Sequence, residues 1–238
     1  MNQDIYASPA TVAMQPEQTR AAFIRKTYAH LAGAIVAFFL LEWALFQLPA
    51  VQEFARHVLA NNLYWFATFG VFMATSWIGQ SMAHSAVSKP KQYFALGLVV
   101  SGWALMFIPL LYIAVAAFGA PLLIKAAILT GSLFGGLSFI ALTTKKDFSF
   151  FNGFLKIGSF VILGLIAASW IGGFSLGIWF VAGMIIFASI SILRDTSNVV
   201  HHYRTDQYVA ASASLFASFA LLLWYVIQLL MSLASGGD

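Results

Sequence analysis

Few side chains in this chain have the chemistry to act, and their surroundings narrow what they could do. Asp195 follows Arg194 directly, and His201, His202 and Asp206 come soon after. Carboxylates and imidazoles together suggest metal ligation. Adjacent residues on a helix, however, point about 100° apart, so His201 and His202 could share an ion only in an irregular loop. They read instead as solvated loop histidines. Glu42 is different, because it falls inside an apolar run, about two turns from the run's end by the usual helical pitch. A carboxylate placed there is a functional candidate by default, unless it reaches the surface. Lys145, Lys146 and Asp147 form a small charged knot between apolar runs, suited to anchoring at a membrane surface or touching another protein. Catalysis has no footing: there is no glycine-rich phosphate loop and no HExxH, and serine and histidine occur without a spacing that argues for a nucleophile. The absence of cysteine excludes thiolate metal sites, disulfides and thiol nucleophiles, and no cofactor is implied.

The elements that must carry these residues are membrane helices. Gln92 to Ile124 and Ile157 to Leu193 contain no Asp, Glu, Lys, Arg or His. Such runs exceed the roughly 20 apolar residues that cross a bilayer's hydrocarbon core. Of the 238 residues 61% are hydrophobic and 8% charged, against about 25% charged in a soluble domain. The net charge of +4 is carried singly or in pairs between apolar segments. This is a pattern of loop anchors rather than of a nucleic-acid surface.

Breakers divide the chain into seven expected spans: Tyr28 to Leu48, Asn62 to Ala83, Tyr93 to Phe118, Pro121 to Leu142, Phe154 to Ile171, Phe174 to Leu193 and Tyr208 to Leu233. Gly119-Ala120-Pro121 starts the fourth and Gly172-Gly173 separates the fifth from the sixth. The expected fold is an all-α membrane protein, a seven-transmembrane-helix bundle over residues 25–233. A disordered tail over residues 1–24 should precede it, and a short outer tail over residues 234–238 should follow. Ten of the twelve Lys and Arg fall on one side of this arrangement, leaving Arg56 and Lys125 on the other. The positive-inside rule then puts the amino terminus in the cytoplasm and the carboxyl terminus outside. Small residues four apart, Ala127, Gly131 and Gly135 in span four and Ala210, Ser214 and Ser218 in span seven, predict interior seams. Pro109 predicts a kink in span three.

Two stretches resemble the Bax inhibitor-1 family, and most closely its bacterial YccA-like branch. They are Leu142-Thr143-Thr144-Lys145-Lys146-Asp147-Phe148-Ser149-Phe150-Phe151-Asn152-Gly153 and Ile192-Leu193-Arg194-Asp195-Thr196-Ser197-Asn198-Val199-Val200-His201-His202. Ile108-Pro109-Leu110 and Ser214-Leu215-Phe216-Ala217-Ser218 follow the same order and spacing. The resemblance implies a seven-helix bundle with a central helix, in a bacterial inner membrane. For the YccA-like branch it implies association with the membrane-anchored AAA protease FtsH, as substrate and modulator in membrane protein quality control and the stress response. For other members it implies a pH-sensitive calcium leak gated by acidic residues in spans six and seven. Asp195 stands at one acidic position, whereas Ser214 and Ser218 stand where channel-like members carry aspartate. A hydroxyl does not titrate near neutral pH, so a two-carboxylate gate is incomplete. The candidate gating or proton-sensing residues are Asp195, Glu42, Ser218 and Ser214, and the candidate cytoplasmic contact is Lys145, Lys146 and Asp147. The expected partners are the lipid bilayer, an FtsH-like protease and, on the alternative reading, calcium or protons.

Overall fold

The computed structural model describes residues 11–85, 88–144 and 146–236. Among them lie eight α-helices: α1 (Glu17–Phe46), α2 (Pro49–Ala60), α3 (Asn62–Ser85), α4 (Lys89–Phe118), α5 (Ala120–Thr143), α6 (Phe151–Gly172), α7 (Gly177–His201) and α8 (Tyr208–Ala234). Single 3-10 turns at Val12–Met14 and Phe148–Phe150 precede α1 and α6. The described residues contain no strand, only one isolated antiparallel bridge, Thr11 to Arg204.

Six helices, α1, α4, α5, α6, α7 and α8, are long and apolar enough to cross a membrane. The expected second span is present as α3, yet it is not one of the six. Its Tyr64, Trp65, Thr68, Thr75, Ser76 and Trp77 dilute its hydropathy. Helix α8 is the axis of the bundle and packs against α1, α3, α4, α5 and α7. Its buried residues include Leu215, Phe216, Leu222 and Val226. Around it the rings of Phe38, Phe107, Phe216 and Trp224 interlock edge to face, with centroids 5.0 Å (Phe38 to Phe107), 5.8 Å (Phe38 to Phe216) and 5.3 Å (Phe107 to Trp224) apart. Helix α6 lies at the periphery and buries only Leu155.

Helices α3 and α4 meet through glycine. A Cβ on Gly79 would lie 2.6 Å from Val99 Cγ2, and one on Gly102 would collide with Thr75 Oγ1. Close backbone approach of this kind supplies the contact that hydrophobicity cannot supply between helices in lipid. Gly173, with φ +66°, caps α6 in the left-handed region, as the Gly172-Gly173 break required.

Several boundaries differ from the sequence reading. Residues 11–24 are not a disordered tail: Val12 is fully buried and α1 begins at Glu17. Residues 1–10, 237 and 238 lie outside the described residues. Helix α7 continues to His201, so Asp195 lies within the helix rather than at its end. Helix α2, expected as loop, starts with Pro49 in its first turn, where a missing amide costs nothing. The seam on α5 is displaced by one position. Leu122, Ala126, Thr130, Phe134 and Ser138 are buried, while Gly131 and Gly135 are exposed, with no atom within 4 Å of an added Cβ. The seam on α8 has Ala210 and Ser218 buried and Ser214 half-buried. Helix α4 continues through the buried Pro109.

Candidate functional site

The periodicity of α7 turns Met184, Ala188, Ile192 and Asp195 inward, and α8 turns Ser214 and Ser218 towards them. Asp195 is 6% exposed. Ser218 Oγ donates to Asp195 Oδ2 at 2.5 Å, and Arg194 approaches Asp195 Oδ1 at 2.5 Å. Neighbouring side chains on a helix diverge, so Arg194 has to fold its long stem back to reach the carboxylate. A buried carboxylate needs such partners, because the cost of dehydrating it is large unless charge and hydrogen bonds replace water. Beside this clasp lies a cavity of about 380 Å³ lined by Gln80, Trp103, Arg194, Asp195, Ser214 and Ser218, among others. Ser214 Oγ donates to Gln80 Oε1 at 3.3 Å, and its oxygen lies 3.0 Å from Tyr203 Oη. Burial raises the pKa of the Tyr203 phenol strongly, so the hydroxyl remains protonated.

A second polar cluster joins the two distinctive sequence stretches. Asp147 Oδ1 accepts the Ser149 amide at 2.9 Å and the Ser197 hydroxyl at 3.3 Å, while Asp147 Oδ2 lies 2.9 Å from His202 Nε2. Ser197 Oγ in turn accepts the Phe148 amide at 2.9 Å. The loop between α5 and α6 is thereby stapled to the end of α7. Slight burial raises the Asp147 pKa, but the Ser149 amide and the charge of His202 outweigh it and lower the pKa overall. Deeper in the bundle, Thr196 Oγ1 lies 3.4 Å from Tyr28 Oη and 3.5 Å from Ser138 Oγ, linking α1, α5 and α7.

The segment before α1 closes over the same end. Val12 donates its amide to the Tyr203 carbonyl at 2.8 Å, and its buried side chain joins the main core. Arg204 and Asp206 pair across 2.8 Å. Lys89 donates to the Asp206 carbonyl and sits 3.8 Å above the Tyr208 ring.

Of the expected site residues, Asp195, Ser214 and Ser218 are thus brought around one cavity. Glu42 lines a different cavity. It continues the buried stripe Phe23, Thr27, Leu31, Ala34, Phe38 of α1 and is 4% exposed, with no hydrogen-bond partner for either oxygen among the described residues. Lys145 lies outside the described residues, Lys146 is exposed, and Asp147 bonds within the chain. His201 keeps to its own helix, its Nδ1 being 2.9 Å from the Ser197 carbonyl oxygen. The sequence reading missed Gln80, Tyr203, Val12 and the Asp147–His202 contact. Only Tyr203, an aromatic between two spans, carried any signal.

The family model described as inhibitor of apoptosis-promoting Bax1 matches residues 20–235. The chain belongs to this family. Bax inhibitor 1 of Schizosaccharomyces pombe is 26% identical over 95% of the chain and 82% of its own length. An uncharacterized protein of Pseudomonas aeruginosa is 37% identical over 50% of the chain and 54% of its own length. The modulator of FtsH protease YccA of Escherichia coli is 37% identical over 37% of the chain and 41% of its own length. The chain spans about half the length of the Pseudomonas aeruginosa and Pasteurella multocida relatives it matches. Within the Bax inhibitor-1 family frame, the two distinctive stretches are the loop and helix end that the Asp147 staple joins.

Proposed function

We propose that this Bax inhibitor-1 family member is a seven-span protein of a bacterial inner membrane, non-catalytic, that modulates an FtsH-type membrane protease, serves as its substrate, or does both, in membrane protein quality control and the stress response. The observation that carries the choice is the clasp: the buried carboxylate of Asp195 is held by Arg194 and Ser218. A calcium ion takes 6–8 oxygen ligands, and a carboxylate balanced by an arginine offers it no net charge. The name of the YccA relative supports the protease reading. Helix α3 serves as the seventh span, since its 24 residues give a length of about 36 Å. With the amino terminus in the cytoplasm, residues 1–10 precede the docked Val12 strap on the side where such a protease works.

Two measurements test this. If the protease engages the chain through its amino-terminal segment, deleting residues 2–10, which leaves Val12 in place, lengthens the protein's lifetime in cells containing the protease and leaves it unchanged in cells lacking it; equal lifetimes with and without the segment reject that engagement. Single cysteines at Ser88 and Ser235 report the topology: an impermeant outside reagent labels the second and spares the first.

A cation leak is the second reading, favoured by the cavity at Asp195. Calcium and proton flux into liposomes across about pH 5 to 8, where shifted carboxylates and histidines titrate, separates the two. Wild type passes little calcium, and Ser218→Asp, which supplies the second carboxylate, gives a pH-dependent rise. Strong wild-type flux abolished by Asp195→Asn would reverse the ranking.

A further inference from the structure

Glu42 lines a cavity of about 340 Å³ between α1, α4, α5 and α8. The walls are apolar and aromatic, with Phe38, Phe107, Leu223 and Ile227 forming much of the floor and the largely exposed Trp43 at the rim. Both carboxylate oxygens are buried without a hydrogen-bond partner among the described residues. A carboxyl group in such a setting is carried either as the neutral acid or beside a cation. A hydrated metal ion does not suit these walls, because one carboxylate among hydrocarbon cannot replace its water shell.

We propose that this cavity is a binding site for a lipophilic ammonium, an amphiphile whose cationic head pairs with Glu42 and whose tail lies along the apolar wall. Three features support that occupant. The volume suits a small organic ligand. Aromatic faces beside a carboxylate recognise alkylated ammonium, which gives up its hydration more readily than a metal ion. Depth matches as well: Glu42 is four residues before the end of α1 at Phe46, about 6 Å along the axis. A membrane-borne amphiphile thus keeps its head near the polar boundary while its tail stays in hydrocarbon. Among the described residues no lysine or arginine lines the cavity, so a zwitterionic headgroup would leave its phosphate unpaired. The site therefore selects a net cation over an aminophospholipid.

The test is photolabelling of the full chain in phosphatidylcholine nanodiscs with a diazirine-bearing decyltrimethylammonium and with its uncharged decanol analogue. The cation labels peptides around Glu42 and Leu223 in wild type. Glu42→Gln lowers that labelling about tenfold or more, as loss of a charge-assisted contact does, and leaves the neutral probe's labelling unchanged, which also reports an intact cavity. Glu42→Asp, which keeps the charge, retains cation labelling even if Glu42→Gln fails to fold. Equal cation labelling of wild type and a folded Glu42→Gln, a neutral probe that labels as strongly as the cation, or competition by phosphatidylethanolamine would each overturn the proposal.

Discussion

Asp195 and Glu42 are both carboxylates buried in one bundle, and their surroundings are opposite. Tyr28, in the first half of α1, lies 3.4 Å from Thr196 beside Asp195, and Glu42 is fourteen residues further along α1, about 21 Å from Tyr28 by helical rise. Asp195 has an arginine, a hydroxyl and a polar cavity. Glu42 has phenyl rings and no hydrogen-bond partner among the described residues. Burial alone therefore says little about what an acidic residue does. A carboxylate whose partners are built into the fold contributes to structure, whereas one left without them is placed for something from outside.

The sharpest way to break that comparison is to remove both charges and measure stability. Asp195→Ala leaves Arg194 without its counter-charge and Ser218 without its acceptor. Breaking a buried pair costs about 3–5 kcal/mol, and because the Arg194 side chain is 31% exposed, solvent screening lowers the expected loss to about 2–3 kcal/mol. Glu42→Gln keeps the shape, breaks no hydrogen bond among those described, and leaves stability unchanged or slightly raised. Thermal unfolding in mild detergent checks both. A Glu42→Gln loss as large as that of Asp195→Ala would show that Glu42 has a structural partner and that the contrast fails.

Two smaller effects concern the α3–α4 contact and the Asp195 clasp. Gly102→Val forces α3 and α4 apart at Thr75, and overpacking of this kind costs about 1–3 kcal/mol; Gly131→Ala, on a face with open space, costs almost nothing. Ser218→Ala removes one hydrogen bond to a charged acceptor, a loss of about 1.5–3 kcal/mol for such bonds in general. It should fall near the low end here, because Arg194 remains on the other oxygen. A fully additive Asp195→Ala, Ser218→Ala double variant would mean the two groups do not act together.

Physical strength separates what was legible in the sequence from what was not. The charge-free runs predicted α4, α6 and α7 because bilayer-length apolar segments have few alternatives, and Gly173 was readable because only a left-handed cap ends α6 so tightly. The ends of α1 and α7 were not readable. Thr19, Arg20, Ser197 and Asn198 extend helices once their backbones are held by neighbours, and propensity is too weak to show that. Gly131 and Gly135 misled because a row of small residues marks a possible approach, while Thr130, Phe134 and Ser138 occupy the actual one. The meeting of Asp195 with Ser218 was expected through the family resemblance, which places both residues at its gate positions. The meeting of Asp147 with His202, 55 residues apart, had no periodicity to announce it.

That last contact carries the smallest effect, and its dependence on pH has a definite sign. The Asp147 pKa is held below its ordinary 3.8 in the folded chain, the Ser149 amide and the His202 charge outweighing slight burial. A group with a lowered folded pKa contributes stability that is present above its unfolded value and lost as pH falls through the folded one. The staple on the loop between α5 and α6 is therefore intact at neutral pH and loosens only on acidification below the ordinary aspartate value of 3.8. Asp147 is 39% exposed, so screening holds the contribution to a few tenths of a kcal/mol, up to about 1. Amide exchange at Ser149 follows the staple directly, because that amide donates to Asp147. Protection in wild type falls on acidification below pH 3.8, after correction for intrinsic exchange. Asp147→Asn exchanges faster at neutral pH and shows no such fall. An acid-induced loss that persists in Asp147→Asn would assign the staple to other groups.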